Sequence, residues 1–243
     1  MIVVQPKVKL ASVRELESAS FREFMIQLNG FARKFKLREM TNWSKVWEYP
    51  WLWFNGLNSL NWKDVCLCDL GSELSPMPWY FASLGATVTL IETDAQYVHI
   101  WENIRSQEKW DVSWKIIADE FLPFENNAFN AVTSFSVIEH QPNKKIAIQE
   151  VVRVLKSSGL FALSFDICEP SLGMTFPEWN GSALTMNDFE NLLWKNPAFA
   201  PTNKSLEWNI EDVKDFIAWH LQSARHHNYT VGAALLSRAI LKP

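Results

Sequence analysis

The sequence predicts an α/β fold with a doubly wound, mostly parallel sheet, and three observations predict it. Short apolar runs of strand length recur at residues 65–70, 88–91, 131–136 and 160–165. Stretches of helical periodicity separate them, and strands joined by helices run parallel with right-handed crossovers. The clearest unit is residues 64–94: a strand, a break at Gly71 and Ser72, a helix over 78–84 ended by Gly85, and a strand that stops at Glu92. A small-residue turn there lets backbone N–H groups approach a ligand, and an acid at the second strand's tip accepts hydrogen bonds from ribose hydroxyls. Asp69 and Glu92 are 23 positions apart, the length that one helix and one strand require.

Composition narrows the class. A chain of 243 residues with 48% hydrophobic content has material for one large α/β core. The net charge of −4 gives no basic footprint for nucleic acid. The three cysteines, Cys66, Cys68 and Cys168, read as buried small residues of a reducing, cytoplasmic setting, and no Cys/His spacing resembles a zinc site. No run approaches the ~18 apolar residues of a membrane span, and the N-terminus lacks the pattern of a signal peptide. Thirteen Trp and sixteen Phe exceed ordinary usage, as core or as the walls of a pocket for an apolar or planar ligand.

Along the chain, residues 1–11 read as an irregular or extended arm. Residues 12–36 read as a helix: Ser12 can cap with Glu15 three residues on, and Phe21, Phe24, Met25, Leu28 and Phe31 recur at helical spacing. Residues 42–51 are dense in aromatics, a lid or a sheet cover, and Pro50 suits the first turn of a helix over 51–60. After the opening unit come a helix over 95–107, a strand over 114–118 ending at Asp119, a loop over 120–127 and the strand 131–136. An amphipathic helix over 143–155 exits through a turn ending at Gly159 into the strand 160–165. Residues 166–206 are proline-rich with one helix over 187–193. A helix over 210–223 and a final strand over 229–241 close the chain, which shows no internal repeat.

Three stretches, in this order and spacing, carry a resemblance. The first is Asp69-Leu70-Gly71-Ser72 with Ser75-Pro76 following and Glu92 beyond. The second is Leu122-Pro123-Phe124 with Phe129-Asn130-Ala131-Val132. The third is Ser136-Val137-Ile138-Glu139-His140, then Glu150-Val151-Val152-Arg153-Val154-Leu155-Lys156 and Gly159. From about residue 64 to 165 the chain resembles the class I S-adenosylmethionine-dependent methyltransferases, in particular the small-molecule group. The resemblance implies a Rossmann-like, seven-stranded sheet, an N-terminal helical cap over 1–60, a cofactor-binding domain over 61–243 and a substrate-side insertion over 166–206. It implies S-adenosylmethionine as cofactor and S-adenosylhomocysteine as product.

It also implies roles. Asp69, Gly71, Ser72 and Glu73 fall on the turn at the methionine end of the cofactor. Glu92, with Thr93 beside it, takes the ribose hydroxyls. Asp119 bonds the adenine amino group, with Glu120 and Phe121 adjoining. Ser134, Phe135 and Ser136 run beneath the transferable methyl. Taken alone, Glu92 and Asp119 are solvated strand-end acids. The chain departs from the family's pattern at Glu73, where glycine is usual. A side chain there either crowds the methionine site or turns outwards to pair with the cofactor's ammonium. Asn130 stands for a usual Asp, and Ser157-Ser158 for a usual Pro-Gly.

Methyl transfer from a sulfonium is an in-line displacement that needs alignment, and for an oxygen or nitrogen nucleophile also a base. His140 is the candidate base, since its ordinary pKa suits the task, with shaping of the pocket loop as the alternative. The aromatic N-terminal segment and the insertion make Trp43, Trp47, Tyr49, Trp179 and Trp194 candidate acceptor walls. His226 and Tyr229 stand before the last strand as further substrate contacts, His226 and His227 reading equally as exposed loop residues. His99 and His220 read as structural, and Asp166 as a loop cap before an acceptor contact. The expected reaction is methyl transfer to an oxygen or nitrogen, ahead of carbon, of a small acceptor, with no nucleic-acid or membrane partner and with the oligomeric state open. The competing readings are a catalytically silent binding or scaffold protein, motivated by Glu73, and a nicotinamide oxidoreductase. The turn disfavours the latter because it lacks the second and third glycines that make room for a pyrophosphate.

Overall fold

Seven strands form one sheet: Lys7–Leu10 (β1), Cys66–Leu70 (β2), Thr87–Glu92 (β3), Val112–Ile116 (β4), Phe129–Phe135 (β5), Leu155–Ile167 (β6) and Thr230–Ser237 (β7). The structure is a computed structural model that describes residues 4–42, 44–168, 182–199 and 229–240 together with 214, 215 and 218. The strand order is β1-β7-β6-β5-β2-β3-β4. Strands β2 to β6 pair parallel, and β7 enters antiparallel against both β6 and β1. The chain leaves β2 outward to β3 and β4, then returns to place β5 on β2's other side. The order therefore reverses between β2 and β5, and in such sheets the crevice beyond the strands' carboxyl ends at that point takes ligands.

The doubly wound, seven-stranded expectation holds, and its seventh strand comes from the arm. Lys7–Leu10 pairs with β7 from Lys7↔Leu235 to Leu10↔Gly232. The helix expected over 12–36 divides into Val13–Leu16 (α1) and Ala19–Phe35 (α2). Ser12 makes no side-chain cap, and Glu15 instead accepts from Lys9 Nζ and Trp47 Nε1, both at 2.7 Å, so tertiary contacts replace the capping box. Phe21, Phe24, Met25 and Leu28 are buried as the stripe predicts. The next helix is Lys45–Asn55 (α3), with Pro50 inside it rather than in its first turn.

Pro76–Ser83 (α4) starts from Ser75, whose Oγ accepts from Met77 N. A 3-10 turn, Ala95–Tyr97, precedes Val98–Gln107 (α5), and Lys144–Val154 (α6) is capped by Asn143, which accepts from Ile146 N at 3.1 Å. Met186–Phe189 (α7) opens on a capping box between Thr185 and Asp188 and continues as a wider π turn over Glu190–Trp194. β4 begins two residues earlier than expected, β6 extends to both sides of its expected core, and the last strand is shorter than 229–241. Most of the expected helix over 210–223 lies outside the described residues.

The aromatic surplus is largely core. Trp47, Trp79 and Trp101 are fully buried, Trp62 stacks on Phe81 with centroids 4.1 Å apart, and Phe24 stacks on Trp53. Cys66 and Cys68 are free thiols, and burial pushes the Cys68 thiol well up. No helix of the described residues is long and apolar enough to cross a membrane.

Candidate functional site

A cavity of about 890 Å³ opens at the carboxyl ends of β2, β3, β5 and β6, within the ~300–1,000 Å³ usual for ligand pockets. Its β3–β4 side carries Gly71, Ser72, Glu73, Glu92, Thr93, Asp119 and Glu120. Its β5–β6 side carries Lys45, Tyr49, Phe135, Ser136, His140, Asp166 and Tyr229.

The turn after β2 is built from buried polar groups. Gly71 has φ +64, and a Cβ there would lie 2.5 Å from Val137 Cγ2, so position 71 demands glycine on two counts. The N–H groups of Gly71 and Ser72 do not face the cavity as expected; both donate to Ile91 O, at 2.9 and 3.2 Å. Asp69 also departs from its expected place. It is buried beneath the turn, where Oδ1 accepts from Thr133 Oγ1 at 2.6 Å and Oδ2 from Ser72 Oγ at 2.7 Å, and burial pushes its carboxyl up to about 7. The acid at this position braces the turn from inside.

Glu92 closes β3 and faces the cavity. Thr93 N donates to its Oε1 at 2.7 Å and Glu73 N to its Oε2 at 3.0 Å. A carboxylate accepts about four hydrogen bonds. These two fix the group's orientation, and with Thr93 Oγ1 on Oε1 at 3.3 Å they leave Oε2 with capacity for a further donor. The geometry fits a nucleoside with vicinal hydroxyls. Glu73 adopts φ +39, and its side chain turns away to pair with Arg38, Nη1 to Oε2 at 2.6 Å, while its carbonyl accepts from Trp101 Nε1. Asp119 lies exposed at the rim and accepts from Phe121 N, and Glu120 accepts from Asn143 N at the start of α6. Phe121 is 59% exposed and lines no part of the cavity.

The opposite side is charged and largely buried. Glu48, fully buried on α3, accepts from Lys45 Nζ at 2.7 Å, from Ser164 Oγ at 2.6 Å and from Ser136 Oγ at 3.1 Å. Lys45 Nζ also donates to Ser136 Oγ at 2.7 Å and Phe135 O at 3.3 Å. Burial pulls the Lys45 ammonium down, but Glu48, Tyr49 and Asp166 together outweigh it and the net shift is upward. Ser136 holds φ +55 at the end of β5. Glu139 Oε1 accepts from Asp166 N at 3.1 Å, and its Oε2 is buried with no partner among the described residues. Burial drives the Glu139 and Asp166 carboxyls upward, with the Glu48 charge adding to the first and the Glu139 and Glu48 charges to the second, while Lys45 opposes both. Tyr49 bonds Ser75 Oγ at 3.0 Å and packs edge-on against Phe135.

Of the expected acceptor contacts, Tyr49 and Tyr229 line the cavity. Trp47 does not: it is buried against Trp51 and held by Glu15, on the face of α3 that turns into the core. Trp194 also lies outside the lining, packed against Phe189. Ser134 is buried beneath the floor, with its Oγ unpartnered. Trp43, Trp179 and His226 fall outside the described residues. Lys45 and Glu48 went unread as site residues. Their signal is two charges three positions apart in an otherwise nonionic, aromatic-rich helix.

The family model described as a methyltransferase domain matches residues 68–163. No curated protein sequence matches the chain. Solved structures supply the fold. One is an S-adenosylmethionine-dependent methyltransferase of Methanosarcina mazei, 17% identical, covering 76% of this chain and 97% of that one with TM-score 0.55. Another, from Galdieria sulphuraria and assigned as a sarcosine dimethylglycine methyltransferase, is 14% identical over 95% and 92% with TM-score 0.58. A third is the geranyl diphosphate C-methyltransferase of Streptomyces coelicolor, solved with S-adenosylhomocysteine, 15% identical over 73% and 70% with TM-score 0.57. Residues 68–163 thus resemble a methyltransferase domain, and they carry the sheet's switch point and the acid that closes β3 at the cavity.

Proposed function

We propose that the protein transfers the methyl group of S-adenosylmethionine to an oxygen or nitrogen nucleophile of a small acceptor. The observation that carries this reading is a cavity of about 890 Å³ whose lining runs from Glu92 to Asp166 and Tyr229. The similar structures are named for unlike acceptors, sarcosine and dimethylglycine in one and geranyl diphosphate in another, so the fold leaves the acceptor open.

Glu92 and Thr93 hold the ribose, Asp119 and Glu120 stand at the adenine, and the turn Gly71–Ser72–Glu73 borders the methionine end. The bound cofactor supplies an activated methyl on a sulfonium. Phe135 and Ser136 form the floor beside it, and Tyr49 and Tyr229 wall the acceptor. His140, on the loop after β5, takes the nucleophile's proton. Residues 1–60 act as the substrate-side cap and 166–206 as the second acceptor wall. The net charge of −4 weighs against nucleic acid as substrate, and the free thiols of Cys66 and Cys68 suit a cytoplasmic setting.

A silent binding protein is the second reading, favoured by a non-glycine residue in a left-handed conformation at Glu73. The pairing of Glu73 with Arg38 speaks against it, since that side chain is drawn off the turn. Calorimetry with S-adenosylhomocysteine tests the first reading: saturable binding is expected, and none at about 1 mM ligand overturns it. Binding without turnover across a panel of small amines and alcohols would favour the second.

A further inference from the structure

We propose that the acceptor end of the cavity receives its ligand as an ammonium, anchored by the Asp166 carboxylate. This deepens the methyl-transfer reading and rests on it only for naming that ligand the acceptor.

Asp166 is the carboxylate on the β5–β6 side of the cavity wall. It is 5% exposed, and what remains exposed is cavity lining. Its backbone N–H is bonded to Glu139, but among the described residues no group donates to its side chain. A carboxylate this buried ordinarily holds an ion pair or several hydrogen bonds, because desolvation without either is costly.

The neighbouring cation cannot supply them. A lysine ammonium has three donors, and those of Lys45 are spent on Glu48, Ser136 Oγ and Phe135 O. Three buried carboxylates, Glu48, Glu139 and Asp166, thus surround one ammonium whose hydrogen bonds serve only the first. Glu139 Oε2 is likewise buried and unpartnered. The charges that face Asp166 are Glu139, Glu48 and Lys45, and burial raises its carboxyl first and the two acids next. Left empty, such a site takes up protons; an ammonium entering it meets the missing charge and donates the missing hydrogen bonds.

A metal ion is the other way to answer buried acids, but among the described residues no group of three His, Cys, Asp or Glu side chains is arranged to hold one. The aromatic walls, Tyr49, Phe135 and Tyr229, suit the body of an organic cation. An acceptor alcohol of the same shape brings one O–H donor and no charge, so it compensates the buried carboxylate less.

The test uses the whole protein and three amine–alcohol pairs of rising size: methylamine and methanol, benzylamine and benzyl alcohol, tryptamine and tryptophol. Each is titrated calorimetrically with and without S-adenosylhomocysteine. At least one amine is expected to bind about tenfold or more tightly than its alcohol, and Asp166→Asn to bring that ratio within about twofold. No amine preferred in any pair overturns the proposal, and this needs no variant. A preference that persists in a folded Asp166→Asn also overturns it. Absence of S-adenosylhomocysteine binding strikes the cofactor reading instead, while the amine-to-alcohol ratio of the free protein still judges the anchor.

Discussion

Ser164 Oγ donates to Glu48 Oε2 at 2.6 Å, joining β6 to a helix 116 positions earlier in the chain. Both groups are buried. Ser164→Ala removes a donor from a buried carboxylate and is expected to cost about 1–3 kcal/mol. Glu48→Ala is expected to cost more, about 3–5 kcal/mol, because it strands the Lys45 ammonium. Thermal unfolding followed by circular dichroism checks the order; a Glu48 variant as stable as the parent would show the network to be slack.

Glu92 offers its carboxylate to the cavity from a fixed orientation. Glu92→Ala is expected to weaken S-adenosylhomocysteine binding by about 1–3 kcal/mol, with Glu92→Gln between it and the parent. Calorimetric Kd values measure this, and unchanged affinity in both variants removes Glu92 from the ribose.

Asp69 makes stability depend on pH. Its folded carboxyl is pushed up to about 7, above the unfolded value of about 3.9. The folded chain therefore binds the proton more tightly, so this group's contribution is full below about pH 4 and is lost as pH rises to about 7. Asp69→Asn is expected to flatten the fall in unfolding free energy over that window, by at most about 1.4 kcal/mol per pH unit. Urea titrations at several pH values read the slope; equal slopes in parent and variant reject the shift.

Gly71→Ala meets two obstacles, the left-handed φ and Val137 Cγ2. The φ alone costs about 1–2 kcal/mol. Val137→Ala in the same chain is expected to relieve the clash and leave the φ cost, so the double variant recovers only part of the loss. Full recovery would assign the whole effect to the clash.

With His140 as the base, His140→Ala lowers the methyl-transfer rate more at neutral pH than at high pH, where the nucleophile loses its proton unaided. A rate ratio that stays flat across pH reduces His140 to shaping the loop after β5.

How much of this was legible follows from the reach of each interaction. Glu92 could be read because its place depends on a strand and a turn within thirty residues of chain. The strand of residues 7–10 could not, since four residues of weak pattern acquire their meaning only from β7 at the other end of the chain. Aromatic density over 42–51 pointed to that segment, but periodicity does not say which face meets the core, so Trp47 went inward and Tyr49 reached the cavity. Asp69 holds the motif position, but its burial under the turn, with both oxygens toward Thr133 and Ser72, could not be read from spacing.

From sequence alone came the doubly wound sheet, the turn after β2, the acid at Glu92 and the resemblance to a methyltransferase domain, all of which rest on local spacing and chain order. Tertiary structure alone decided that Glu73 pairs with Arg38, that the N-terminal arm completes the sheet, and that Lys45, Glu48, Glu139 and Asp166 meet at one end of the cavity. Those charges come from α3, the loop after β5 and the end of β6. Nothing in their spacing brings them together; the packing of the N-terminal helix over the switch point does.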